Sequence, residues 1–139
     1  MQINVVYWSG TGNTEAMAKL IAQGAQDAGA AVSLMEVSKA DASALDAEVL
    51  ALGCPSMGAE VLEESEFEPF IASIEGKVGG KKLALFGSYG WGDGEWMRDW
   101  TERMKKAGAV LAAESLIVNE APDGESAEQC TAFGKAIAQ

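Results

Sequence analysis

QINVVYWSGTGNTEAM, Gln2 to Met17, runs from an apolar stretch into a helical period through glycines, hydroxyls and one amide. Ile3 to Tyr7 has the nearly continuous apolar character of a strand buried on both faces. From Met17 the spacing changes, and Met17, Leu20, Ile21, Gly24, Ala25 and Ala28 fall on one face of a helix. A strand that enters a helix through such a loop exposes free N–H groups at the positive end of the helix dipole, which suits an anion. A dinucleotide fingerprint would need glycine where Glu15 stands, and a P-loop would need a G-K-[ST] ending that is absent. What remains is a set of neutral donors: the hydroxyls of Ser9, Thr11 and Thr14, the Asn13 amide, and the backbone at Gly10 and Gly12. No lysine or arginine precedes Lys19, so a terminal monophosphate would be held without a cation. The same residue types also turn a chain and cap a helix.

Outward from this loop, apolar runs recur at Ile3–Tyr7, Val32–Val37, Val49–Gly53, Leu83–Ser88 and Leu111–Val118. Helical stripes separate most of them: Phe67, Phe70, Ile71 and Ile74; Met97, Trp100, Met104 and Ala107; and, after the last, Cys130, Phe133, Gly134 and Ile137. Lys39 to Asp46 is polar, alanine-rich and undecided. This alternation predicts an α/β fold, a doubly wound five-stranded parallel sheet in the order 2-1-3-4-5. With 139 residues and no Pro/Ser-rich linker, residues 1–139 read as a single domain. In this architecture the ligand lies beyond the carboxyl ends of the strands, at the switch point beside strands 1 and 3.

Composition narrows the chemistry. There is no histidine, and Cys54 and Cys130 form no C-x-x-C pair, which disfavours zinc, a histidine base and Cys-His nucleophiles. Ten basic residues against 21 acidic ones give a charge of -11, which repels nucleic acid and anionic membranes and favours a basic protein partner. No apolar run approaches the ~20 residues of a membrane span. The N-terminus shows no secretory pattern, so the expected location is the cytoplasm. An acidic chain without histidine needs a cofactor for its chemistry.

Two further loops follow predicted strands, CPSMGAE (Cys54 to Glu60) and GSYGWGDGEW (Gly87 to Trp96). A flat redox-active ring would take one soft or aromatic side chain on each face, and Met57 and Trp91 offer that pair. A methionine is also common core filler, and a tryptophan between glycines also serves as an interface anchor. With all three loops in view the sequence resembles the flavodoxins, in particular the short-chain flavodoxins of anaerobic bacteria. The resemblance rests on VYWSGTGNTE, LGCPSMG, EESEFEPF, ALFGSYGWGDGEWMRDW and IVNEAPD, in order and spacing across the whole chain.

That resemblance implies non-covalently bound FMN. It implies a low-potential one-electron carrier, working between semiquinone and hydroquinone in place of ferredoxin, with no substrate turnover of its own. Ser9, Gly10, Thr11, Gly12, Asn13 and Thr14 would form the phosphate loop, Met57 and Trp91 would pack on the two ring faces, and Glu60 would bond the pyrimidine edge. Ser88, Tyr89 and Gly90 would line the pyrimidine and dimethylbenzene sides, Gly92 would belong to the same cofactor site, and Asn119 would reach the ribityl chain. Pro55 stands where some relatives offer a serine hydroxyl, and Ala59, after Gly58, where aspartate, asparagine or glycine is frequent. A type II turn there would ask Ala59 for positive φ, which alanine resists. The implied partners are redox enzymes with basic docking surfaces, such as ferredoxin- or flavodoxin-dependent oxidoreductases, and the carrier would be a monomer.

Glu60, Glu63, Glu64, Glu66 and Glu68 crowd the ring loop, and each is expected to oppose further negative charge on the flavin. The same glutamates also suit a solvated helix start. Three rival functions lack their marks. An FMN reductase would need basic residues and room for a nicotinamide dinucleotide, a receiver module would need acids where Tyr7-Trp8-Ser9 stands, and a small phosphatase would need C-x5-R in the first loop.

Overall fold

A computed structural model describes residues 1–139. The chain runs β1 (Gln2–Tyr7), α1 (Asn13–Asp27), β2 (Ala31–Glu36), β3 (Val49–Gly53), α2 (Phe67–Ile74), β4 (Lys82–Tyr89), α3 (Glu95–Lys106), β5 (Val110–Leu111), β6 (Leu116–Asn119) and α4 (Gly124–Ile137). The sheet is parallel, in the order β2-β1-β3-β4-β5, with β6 also on β4.

The expected fifth strand is therefore two strands on one neighbour. Leu83 pairs with Leu111 and Phe86 with Leu116, so two more residues separate the pair on the outer strand than on β4. Ala112 to Ser115 leave the ladder to absorb them, and the Ser115 hydroxyl lies 2.8 Å from that of Thr101 on α3. The undecided segment folds as two short 3-10 turns, Val37–Lys39 and Ala42–Asp46, and the second seats Ala44 and Leu45 in the core.

Each face of the sheet is covered. Leu50, Leu52, Leu83 and Leu85 pack with Phe67, Ile71, Trp96, Trp100 and Met104 of α2 and α3. On the other face Ile3, Val5, Ala51, Ala84 and Phe86 pack with Met17, Ile21 and Ala25 of α1 and with Cys130, Phe133 and Ile137 of α4. A Cβ on Gly24 would stand 2.0 Å from the Thr131 carbonyl oxygen, and one on Gly134 would stand 2.0 Å from that of Ile21. These two glycines let the backbones of α1 and α4 touch. Both thiols are buried in these cores. Desolvation pushes Cys54 up to about 12 and Cys130 up to about 11, so neither is a nucleophile at neutral pH. No helix is long and apolar enough to cross a membrane.

Candidate functional site

The first loop is built for the front end of α1. Gly12 is its N-cap residue in the left-handed region, with φ 95°. The Ser9 hydroxyl oxygen accepts from the N–H groups of Gly12 at 3.1 Å and Glu15 at 3.2 Å, closing the loop from within. The N–H groups of Gly10, Thr11 and Thr14 donate to no protein acceptor. These are the unpaired donors that a helix N-terminus presents to an anion. The Thr14 hydroxyl is buried instead, 3.1 Å from the Ser88 hydroxyl, and it accepts from the Ser88 N–H at 3.4 Å. Thr14 and Ser88, expected to meet different parts of a ligand, thus bond each other and tie α1 to β4.

Beside this loop, at the carboxyl ends of β1, β3 and β4, lies a cleft of about 220 Å³. It collects Gly10, Thr11, Asn13, Pro55, Met57, Ser88, Tyr89 and Gly90 from three separate stretches of sequence. Ser9, Gly12, Thr14, Gly58, Ala59, Glu60, Trp91, Gly92 and Asn119 are not part of its wall. Asn119 braces the rim, its side-chain amide donating to the Tyr89 carbonyl at 3.1 Å. Trp8, Ser56 and Glu120 line the cleft without having been singled out as sites. Each directly follows or lies just past a strand end, which was the available signal. Glu120 also holds φ 60°, a conformation that non-glycine residues seldom keep without a reason.

The hairpin after β3 corrects the expectation at Ala59. Met57 and Val61 exchange both backbone hydrogen bonds at 2.9 Å, and the positive φ values between them belong to Gly58, 51°, and Glu60, 56°. The strain sits on Glu60, not on Ala59. That conformation turns the Glu60 side chain inward, where it is 9% exposed and its Oε1 has no hydrogen-bond partner. Directly above it is Gly92, φ 85°, whose absent Cβ would lie 2.0 Å from that oxygen. Between Gly90 and Gly92, Trp91 is 64% exposed. A large aromatic held open to solvent next to a hollow is a poised contact surface.

The five glutamates divide by environment. Glu63 is buried and accepts from the N–H groups of Ser65, Glu66 and Phe67 at 2.8 to 2.9 Å and from the Ser65 hydroxyl. It caps α2. Burial raises its pKa, but the bonds from the Ser65 hydroxyl and the three N–H groups outweigh this and hold it at about 2. Glu66 accepts from the Trp8 indole at 3.3 Å, and Glu68 is paired with Arg103. Since the Glu63 pKa is depressed from 4.5, its stabilisation is present above that pH and is lost as pH falls toward about 2. In Glu63→Gln the melting temperature should fall at neutral pH, and the gap from the parent protein should close below pH 4.5. Melting curves followed by circular dichroism across that range check it, and a gap that persists into acid would assign the loss to packing.

The sheet order brings the glycine–hydroxyl loop and the hairpin that buries Glu60 to one edge of the sheet, the carboxyl ends of its strands. The flavodoxin family model matches residues 5–134. The chain is 56% identical over 137 residues to a flavodoxin of Clostridium beijerinckii, covering 98% of this chain and 99% of that one. It is 46% identical over 138 residues to a flavodoxin of Megasphaera elsdenii, covering 99% and 98%. The solution structure of the two-electron reduced Megasphaera elsdenii flavodoxin superposes with a TM-score of 0.90 at 44% identity over 98% of both chains. This chain belongs to the flavodoxin family, as a short-chain member. It binds FMN and carries electrons to and from oxidoreductases, and is not itself an enzyme.

Proposed function

We propose that the FMN site is built from the loop Ser9–Thr14, the hairpin Pro55–Glu60, the segment Ser88–Gly92 and Asn119. The observation that carries this is the buried Glu60 Oε1 without a partner, since an unpaired carboxylate oxygen at that depth is costly until a donor meets it. The unpaired N–H groups of Gly10, Thr11 and Thr14 fit a phosphate in the same way. When bound, FMN supplies the one-electron chemistry. The chain's own work is to hold the phosphate with neutral donors, to meet the ring edge with Glu60, and to cover the ring faces with Met57 and Trp91. In Trp91→Ala the lost stacking, about 1 kcal/mol, should weaken FMN binding about fivefold. Quenching of FMN fluorescence measures this, and an unchanged dissociation constant would mean that the exposed indole covers something else.

The single domain 1–139 works, on this reading, as a monomer in the cytoplasm, docking to oxidoreductases through their basic surfaces. Support comes from the charge of -11 and from the exposed Glu64 and Glu66, which follow the ring hairpin in sequence. Such association is steered by charge and screened by salt. Its rate of reduction by a flavodoxin-dependent oxidoreductase should fall as ionic strength rises from low to physiological values. Indifference to salt in stopped-flow measurements would remove charge steering from the account.

A further inference from the structure

One cation ties the acidic segment to α3. Arg103 donates from Nη1 and Nη2 to the two Glu68 oxygens, both at 2.7 Å, and from Nε and Nη2 to Glu75 at 3.1 and 2.9 Å. This is the two-pronged geometry in which an arginine–carboxylate pair is strongest, and the three side chains are only partly exposed. Behind the ring hairpin lies a hollow of about 150 Å³ whose wall includes Glu60, Glu68, Asp99 and Arg103. Arg103 thus shares this hollow with the buried Glu60 while its own ion-pair partners are Glu68 and Glu75, and the arginine coupled to Glu60 itself is Arg98.

We propose that Arg103 is a positioning residue for the reduction potential of the bound flavin, acting by pinning and neutralising Glu68 and Glu75 so that their charges do not add to the field around Glu60. The potential then depends on which carboxylates are left unpaired, not on how many the segment contains. Reduction adds negative charge to the flavin, so a carboxylate released from its partner opposes it, and more strongly in a poorly solvated hollow than in open water. The inference rests on the placement of Glu60 at the flavin.

The test is a spectroelectrochemical titration of the FMN-loaded protein, with the dissociation constant of FMN measured alongside. Arg103→Gln should weaken the binding of the more reduced relative to the less reduced partner of one one-electron FMN couple about tenfold, which lowers that potential by about 59 mV. Arg103→Gln combined with Glu68→Gln should recover most of that shift, because the released charge is gone. Arg103→Lys keeps the charge without the two-pronged geometry, so it should hold the potential while the melting temperature of the apoprotein drops. That variant carries the test if Arg103→Gln does not fold, and a potential that falls along with its melting temperature would overturn the proposal. So would an unchanged potential in Arg103→Gln when Glu60→Gln does shift it. If Glu60→Gln leaves the potential unmoved as well, the placement of Glu60 at the flavin falls with it.

Discussion

Riboflavin is expected to bind about a thousandfold more weakly than FMN. The argument starts from the first loop, where Gly10, Thr11 and Thr14 hold N–H groups without protein acceptors and where Ser9 is bonded so as to keep them in place. A phosphate takes these donors as charge-assisted hydrogen bonds, and three of them at about 1.5 kcal/mol each correspond to about three powers of ten in affinity. Riboflavin lacks the phosphate and leaves the donors as they are. The loop has little to reorganise on binding, because Gly12 already holds φ 95° and Ser9 already ties the N–H groups of Gly12 and Glu15, so the hydrogen-bond energy appears in the affinity. Parallel quenching titrations of the apoprotein with the two flavins measure the ratio. A ratio near one would mean that the ring contacts alone hold the ligand and that the first loop only turns the chain.

The fold could be read because its pattern is local. Buried parallel strands announce themselves as short apolar runs, as at Val49 to Gly53, where every residue is buried. The helices between them keep one apolar stripe each. Order within the sheet followed from the alternation of the two, and the structure agrees with it. The break in the last strand was not legible, because Ala112 and Ala113 are as compatible with a strand as with a loop. What decides is the register imposed by β4, a partner distant in sequence. The turns at Ala42–Asp46 were hidden for a related reason: only two of their residues, Ala44 and Leu45, are buried, too few to show a period.

In the site, residue types were legible and their partners were not. The glycine and hydroxyl loop could be read as an anion site from composition, yet that Thr14 spends its hydroxyl on Ser88 depends on a contact 74 residues away. The glutamates were the least legible group. Read along the chain they are alike, but folding makes Glu63 a helix cap, gives Glu68 an arginine, and buries Glu60 with an oxygen unsatisfied. The turn geometry shifted by one residue in the same way. Strain was expected at Ala59 from a turn type, whereas the paired Met57 and Val61 fix a different loop and move the positive φ to Glu60.

The glycine above that carboxylate gives the second large effect: Gly92→Ala should weaken FMN binding about a hundredfold. Two costs combine at this position. Alanine at φ 85° is strained by about 1 to 2 kcal/mol, a cost the variant carries with or without ligand unless the loop moves to relieve it. Its Cβ would also stand 2.0 Å from Glu60 Oε1 and 2.5 Å from the carboxyl carbon, so either the carboxylate or the loop must shift. The clashing atoms are the far end of the Glu60 side chain, whose Oε1 has no partner to hold it, so the carboxylate is what gives way. Turning the carboxylate aside beside Trp91 costs the ligand the Glu60 hydrogen bond, about 1.5 to 3 kcal/mol, together with part of the stacking. The combined loss of about 3 kcal/mol corresponds to about two powers of ten. A reverse change separates the causes. Gly92→Ala with Glu60→Ala removes the clash and keeps the strain, which is the same with and without ligand, so the double variant should bind FMN as Glu60→Ala alone does. If Gly92→Ala binds FMN like the parent protein, the carboxylate does not occupy the space under Gly92 when the flavin is present.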